Sequence, residues 1–375
     1  MSTIAWILAI GLIGPLLSLP KKFKVPVAVG EILVGVIFGQ SGLKKIPLHN
    51  SNLALLASIG FALVMMTVGS HIDIISIFKK GLAPKALLNQ LIVLAFGIPL
   101  AYLLAWATSI HLAGIFAVLI TSSSAAVVLP IFVSQNRESE PAIATLLAQV
   151  ALADLICIVA LPLVLGGHKA SRVIEGSTLV AGAGVLVFLY YFIVRKTGWA
   201  ERFHTYSKEH RLGLELRVSL IFLLSLAALA QHFGISVMVA GFVIGLALAA
   251  NGISHRLDHQ LFAVSEGLFS PFFFVWLGAE IDVSQALKDK HLLFLTLGLT
   301  AATLIAHAAT VLSRQPLLIS LSASAQLGVP VAAVTIGQAD GIITATQSGA
   351  IMLAALLTIA VTVISNTFIP KAVLN

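Results

Sequence analysis

The chain has 375 residues, 59% of them hydrophobic and only 10% charged, with a formal net charge of +7; an ordinary soluble domain carries roughly 25% charged side chains. That scarcity of charge excludes a soluble globular enzyme, and the absence of a compact basic patch interleaved with aromatics argues against a nucleic-acid partner despite the excess of Lys and Arg. Apolar runs of about twenty residues recur from end to end, each long enough to cross a ~30 Å hydrocarbon core as a helix. No alternating β-barrel pattern is present, so the fold class is an all-α polytopic membrane protein in a lipid bilayer.

In chain order the runs fall at about 4–19, 25–43, 52–70, 84–108, 111–133, 142–165 and 176–194, then at about 214–232, 234–251, 262–281, 291–313, 316–338 and 345–370. They predict thirteen transmembrane helices. The first run has no Lys or Arg ahead of it and has Lys21, Lys22 and Lys24 behind it, which is the reverse of a cleavable signal peptide. Loops on one side of the thirteen spans then hold sixteen of the 22 Lys and Arg. The other side holds Lys44, Lys45, Lys169, Arg172, Lys288 and Lys290. The positive-inside rule turns that asymmetry into an orientation, N-terminus outside and C-terminus cytoplasmic, most simply in a cell inner or plasma membrane. The basic stretch Arg195–Arg217 reads as a cytoplasmic linker lying near the headgroups. No soluble domain is expected on the chain, so a nucleotide-binding regulatory subunit would be a separate protein. The lone Cys157 rules out an intramolecular disulfide and otherwise reads as a small buried filler.

Two spans are interrupted. In the fifth, Thr121, Ser122, Ser123 and Ser124 place four consecutive hydroxyls in apolar sequence ahead of Pro130; in the twelfth, Ser320, Ser322, Ser324 and Gln326 precede Pro330. Ser and Thr can bond to their own helix carbonyls, but two such segments at matching positions predict two discontinuous helices crossing near the bilayer centre. Their offset of seven spans is odd, so their surroundings run in opposite directions. The expected plan is therefore two inverted six-helix repeats, about 4–165 and about 214–370, joined by a linker helix and basic loop at about 166–213. That is the architecture of a secondary transporter with alternating access.

Acidic residues lie almost entirely in loops or at span edges, and Asp154 is the exception near the centre of the sixth span. An unpaired carboxylate there costs roughly 3 kcal/mol or more, so it should face the bundle interior. Burial penalises the bare charge, which makes a proton a competitor for a small monovalent cation. Loaded with either, the site is neutral and can pass an apolar barrier. Asp154 is thus the expected ion and proton carrier, with Thr121, Ser122, Ser123, Ser124 and Gln326 lining the crossing; hydroxyl and carbonyl oxygens suit a hard cation. His307 is a lone titratable group within the eleventh span, away from its ends, a candidate for coupling or charge compensation or else a neutral packing residue. Glu31, Glu215 and Arg217 read as interface anchors or ion pairs, and Asp340 as a residue just outside the twelfth span. No metal-ligand spacing, phosphate loop or nucleophile arrangement is found, and no cofactor is called for.

Several ordered segments resemble the monovalent cation:proton antiporter family, in the branch of bacterial sodium/proton antiporters and potassium-efflux systems. They are Pro26-Val27-Ala28-Val29-Gly30-Glu31 with Gly35 and Gly39, Gly60-Phe61-Ala62-Leu63 with Gly69, Thr121-Ser122 and Ala153-Asp154. Gly234-Ile235-Ser236 with Ala240-Gly241-Phe242-Val243-Ile244-Gly245 and Ser270-Pro271-Phe272-Phe273-Phe274 with Gly278 complete the set. The resemblance covers nearly the whole chain. It implies thirteen spans, a homodimer, a mobile core domain beside a dimerisation domain, and exchange of H⁺ for Na⁺ or K⁺ with Asp154 as the core aspartate. Two positions depart from the family pattern: Ala153 stands where an Asp, Asn or Gln is usual, and His307 where a Lys or Arg is usual. Those departures keep two alternatives open, an organic solute:cation symporter on the same crossed-helix plan and a non-transporting membrane component.

Overall fold

The structure, a computed structural model, describes residues 2–18, 27–48, 50–71, 81–133, 137, 140–165, 170–196, 205–207, 209–210, 212–233, 237–281 and 288–369. Every regular element among the described residues is a helix, without strands. The helices are α1 (Ser2–Gly11), α2 (Ile13–Ser18), α3 (Val27–Phe38), α4 (Ser51–Ser70), α5 (Ala83–Thr108), α6 (Ala113–Thr121), α7 (Ala125–Val133), α8 (Pro141–Leu165) and α9 (Ala170–Lys196). They continue with α10 (Leu214–His232), α11 (Val237–Asn251), α12 (His255–Val264), a π-helical turn (Ser265–Phe269), α13 (Ser270–Glu280) and α14 (Lys290–Ala308). A 3₁₀ turn (Ala309–Ser313), α15 (Leu317–Ser322), α16 (Gly328–Ala339) and α17 (Ala345–Thr367) complete the chain. Seven helical segments are long and apolar enough to cross a membrane, and six shorter apolar segments accompany them among the described residues. Together they make the thirteen spans expected. The basic residues Lys21, Lys22, Lys24, Lys79, Lys80, Lys169, Arg202, Lys208, Arg211 and Lys371, on which much of the sidedness argument rests, lie outside the described residues.

Both predicted interruptions are present. The fifth span divides into α6 and α7 around residues 122–124, and the twelfth into α15 and α16 around residues 323–327. The tenth span differs from its reading as one plain helix: α12, the π turn and α13 run on from one another, so it begins at His255, earlier than its apolar run suggests. Polar residues of α12 hide that start, since Ser254 caps the helix through Leu257 N–H at 3.2 Å while Asp258 occupies the first turn.

Contacts divide the chain into two compact units. The first comprises Met1–His49, Ile77–Gly167 and Phe274–Asn375; the second comprises Asn50–Ser76 and His168–Phe273.

In the second unit the central seam joins α4 to α11. Helices in lipid gain no hydrophobic driving force from one another and rely on close packing instead, for which small residues are required. A Cβ on Gly241 would stand 2.1 Å from the Ala62 carbonyl oxygen, and one on Gly245 2.2 Å from that of Met66. The two backbones are therefore in direct contact. Around them Leu63, Met66, Leu223, Ala240, Ile244 and Ala247 form a buried cluster, and Phe61 stacks on Phe273 with ring centroids 4.5 Å apart.

In the first unit α3 packs on α2 and α13 in the same manner; a Cβ on Gly278 would lie 2.1 Å from the Ile32 carbonyl oxygen. Here one expectation fails. Glu31, read as an interface anchor or a member of an ion pair, is buried at 1% exposure, so the interface-anchor reading is the one that fails. The reason is the meeting of Gly14 with Gly30, which lets the Glu31 stem cover Gly14: its Cγ is 2.5 Å from where a Cβ would be. α17 starts on a capping box, in which the Thr344 hydroxyl accepts from Gln347 N–H at 3.2 Å while the Gln347 side chain accepts from Thr344 N–H at 3.0 Å. The site described next lies wholly within this unit.

Candidate ion site at the crossed helices

The helix breaks within the hydroxyl run at Thr121–Ser124, where Thr121 and Ser122 offer the backbone local side-chain partners. Thr121 donates to Ala117 O at 2.7 Å and Ser122 to Leu119 O at 2.8 Å, after which the backbone at Ser122 turns extended, with ψ 154°. Ser123 reaches across to the other interruption and donates to Ala323 O at 2.6 Å. Gln326 returns the contact by donating to Leu119 O, and its second amide hydrogen goes to Thr303 Oγ1 at 3.1 Å. The two breaks thus supply one another with hydrogen-bond partners where water is excluded. All four hydroxyl residues are at most 2% exposed, and Gln326 is 4% exposed.

Asp154 lies on α8, near its middle, and is 7% exposed. Its Oδ2 accepts from the backbone N–H of Ala125 at 2.8 Å. Ala125 is the first residue of α7, so the carboxylate sits at the positive end of a half-helix whose terminus carries about half an elementary charge. One oxygen is thereby fixed in place. The hydroxyls of Thr121, Ser122 and Ser123 already spend their hydrogens on carbonyls, and a hydroxyl that donates keeps lone pairs with which to accept. A fixed carboxylate beside several such oxygens is a donor set suited to a small hard cation or a proton.

His307 lies at the end of α14 and is fully buried. Its Nδ1 is 2.9 Å from Thr303 O and, facing a carbonyl, must carry the hydrogen. Nε2 is then a buried acceptor with no hydrogen-bond partner among the described residues. No hydrogen bond or ion pair joins it to Asp154. The path between them runs through Thr303, Gln326 and the first break.

Several neighbouring polar groups escape a reading built on charge. Gln90 of α5 donates to Thr121 O at 3.1 Å, serving the carbonyl that the broken helix frees. Asn89 donates to Gln315 and accepts from Ser313, while Thr310 donates to Ser320 Oγ at 2.7 Å. Asn89, Gln90, Gln149, Thr310 and Gln315 are all at most 4% exposed. Apart from Thr310, their signal in the sequence is amides within or beside apolar runs, which are as anomalous there as a charge but less conspicuous. Cys157 is the expected buried filler, its Sγ 3.6 Å from Val118 O. Asp340 caps the end of α16, just outside the twelfth span as expected. Glu215 is in the first turn of α10.

The family model for sodium/hydrogen exchangers, transmembrane, matches residues 8–372. The chain belongs to that family. Membership places it among integral membrane transporters rather than enzymes. Among its relatives is the Na(+)/H(+) antiporter of Enterococcus hirae, 25% identical over 299 residues that cover 75% of this chain and 73% of that protein. YjbQ of Bacillus subtilis, provisionally named as a Na(+)/H(+) antiporter, is 24% identical over 380 residues. That match covers 95% of this chain, which spans 61% of the length of YjbQ. In fold the exchanger-family chain is similar to the sodium proton antiporter MjNhaP1 of Methanocaldococcus jannaschii, with a TM-score of 0.69 at 21% identity, over 98% of this chain and 96% of that one.

Proposed function

We propose that this chain exchanges a monovalent cation, Na⁺ or K⁺, for H⁺ by alternating access, with Asp154 as the carrier of both. The observation that carries the reading is the buried carboxylate held at the α7 N-terminus beside the crossed breaks. The half-helix end stabilises the charged form enough to attract a cation. Desolvation opposes the bare charge, so the site reorients only when a cation or a proton has neutralised it. Thr121, Ser122, Ser123 and Ser124 contribute oxygens to the cation, and Gln326 holds the crossing together. In this reading the repeats are 4–165 and 214–370 with 166–213 between them, the termini face opposite sides with the C-terminus cytoplasmic, and the chain works as a homodimer with a core domain moving against a dimerisation domain.

Reconstitution tests the exchange directly. Proteoliposomes holding a proton gradient, followed with a pH-sensitive dye, should lose that gradient when Na⁺ or K⁺ is added. A gradient untouched by Na⁺, K⁺ or Li⁺ overturns the proposal and returns the chain to a non-transporting role, for which Ala153 beside the carboxylate is the motivating residue. Loss of the gradient only with an organic anion present would make it a symporter.

His307 takes the position of charge compensation for the crossing. Its buried, unpartnered Nε2 is the acceptor through which a proton would enter. Substituting His307→Gln, which keeps hydrogen bonding and removes titration, is expected to shift the pH optimum or the voltage sensitivity of exchange between about pH 6 and about pH 9. An unchanged profile would make His307 a packing residue.

A further inference from the structure

Gln90 of α5 is fully buried, and the two ends of its amide are unequally served. Nε2 donates to Thr121 O at 3.1 Å, while Oε1 has no hydrogen-bond partner among the described residues. A buried acceptor left unpaired is a standing cost. An apolar side chain of the same length, such as Met, would fill the space without it. The neighbouring Asn89, equally buried, shows the contrast: it donates to Gln315 and accepts from Ser313, so both of its ends are used. Those bonds pin α5 at this turn and leave the Gln90 amide as the part that can move.

The carbonyl it serves stands at the break. Thr121 is the last residue of α6, and the carbonyls of a final helical turn point beyond the helix without an intrahelical partner. Leu119 O is closed by Ser122 N–H at 3.2 Å, by the Ser122 hydroxyl at 2.8 Å and by Gln326. Thr121 O takes the Gln90 amide instead. On another flank the Thr121 hydroxyl is 4.0 Å from Cys157 Sγ, one turn after Asp154 on α8. Gln90 thus reaches the break from α5, as Asp154 reaches it from α8.

A cation on Thr121 O would repel the Nε2 hydrogens that now occupy that oxygen. The terminal torsion of Gln has two broad wells about half a turn apart, and a half turn exchanges Nε2 with Oε1. One amide end is unpaired before the turn and one after it, so the cost is the single bond to Thr121 O, which a cation on that oxygen has already weakened. Oε1 and Thr121 O then stand side by side, two oxygens of the amide and backbone type that a hard cation accepts. We propose that Gln90 is a monovalent-cation ligand with two settings: its nitrogen caps Thr121 O when the site is empty, and its oxygen joins Thr121 O on the cation when the site is loaded. Its place in a transport cycle rests on the exchange proposed above, whereas its binding of a cation does not.

Thermal stabilisation reads the ligand directly, because whatever binds the folded protein raises its melting temperature. Li⁺, Na⁺ or K⁺ is titrated against choline at constant ionic strength into the purified protein. The midpoint is expected to rise about fivefold in Gln90→Met, which keeps the length of the side chain and removes both amide ends, as for one lost neutral polar contact. Gln90→Asn, shorter by one methylene, should match it. Gln90→Glu keeps an oxygen in the same place and should leave the midpoint at or below that of wild type. A packing role alone would show in the cation-free melting temperature and spare the midpoints. Midpoints unchanged in Gln90→Met and Gln90→Asn overturn the ligand. Lowered midpoints do so too, since they would mean that the amide merely competes with the cation for Thr121 O. So does a Gln90→Glu midpoint raised like that of Gln90→Met, and so does a wild type whose melting temperature ignores all three cations. In proteoliposomes Gln90→Met should raise the KM for the cation by more than it lowers kcat; a fall in kcat with KM unchanged overturns it as well. If wild type binds a cation but exchanges none, the exchange proposal fails and the titration still decides Gln90.

Discussion

Asp154→Asn is expected to reduce cation-dependent proton flux by at least roughly 150-fold. The substitution is nearly isosteric, so the crossing keeps its packing, and the amide oxygen can still accept from Ala125 N–H. What disappears is the exchange of charge. A neutral side chain cannot take up a proton, and a cation bound to it crosses the apolar barrier unneutralised. An uncompensated charge at the bilayer centre costs at least about 3 kcal/mol, and each 1.36 kcal/mol in a barrier is about tenfold in rate. Asp154→Glu sharpens the test. It retains the charge but pushes the carboxylate away from the α7 terminus by one methylene, and should fall between wild type and Asn. Dye-monitored gradients in vesicles of matched protein content measure all three. Equal flux in wild type and Asp154→Asn would remove Asp154 as carrier.

The second large effect is structural. Gly241→Ala and Gly245→Ala in α11 each insert a methyl group about 2 Å from a carbonyl oxygen of α4. Overpacking a core ordinarily costs about 1–3 kcal/mol, because side chains change rotamer to make room. Here the obstacle is backbone on both sides, so relief requires the helices to separate and the surrounding cluster to loosen. Each substitution is expected at or above the upper end of that range, and the pair together should leave little folded protein. Gly182→Ala in α9 is the control: nothing lies within 4 Å of its added methyl, and Ala is the better helix former by up to about 1 kcal/mol. Thermal stability by size-exclusion chromatography reads the series. Comparable melting of Gly241→Ala and Gly182→Ala would mean that α4 and α11 do not touch as described.

These glycines show how sequence and structure meet. Gly35, Gly60, Gly69, Gly241, Gly245 and Gly278 belong to the segments that carry the family resemblance, and every one of them sits where a helix backbone approaches another residue within 3 Å of a would-be Cβ. The resemblance is therefore partly a record of helix crossings, a property no hydropathy window detects. Span positions were legible because lipid imposes length and apolarity directly. The breaks were legible because four hydroxyls in a row, and Ser324 with Gln326, are costly in a continuous membrane helix.

The amide network was not legible. Asn89 and Gln90 of α5 carry no charge, and their partners, Gln315 and the Thr121 carbonyl, lie elsewhere in the chain, so the pairing exists only once the chain has folded. The burial of Glu31 was missed for a related reason, since it depends on Gly14 meeting Gly30. The π turn at Ser265–Phe269 likewise has no local signature; it faces α4, where a Cβ on Gly60 would be 2.5 Å from the Phe269 carbonyl oxygen.

The hydrogen bonds at the two breaks are unequal in the order of synthesis. Everything Asp154 and Thr121 require from the chain, the amide of Ala125 and the side chain of Gln90, is made within residues 90–154. The second break has no such independence. Its Ala323 carbonyl is served by Ser123, 200 residues earlier, and its Gln326 amide by Leu119, 207 residues earlier. The first interrupted helix can therefore fix its carboxylate and its Thr121 carbonyl early, while its Ser123 hydroxyl, like the second break, waits for residues 323–326 to be made. The reverse order would strand a carbonyl and an amide in hydrocarbon.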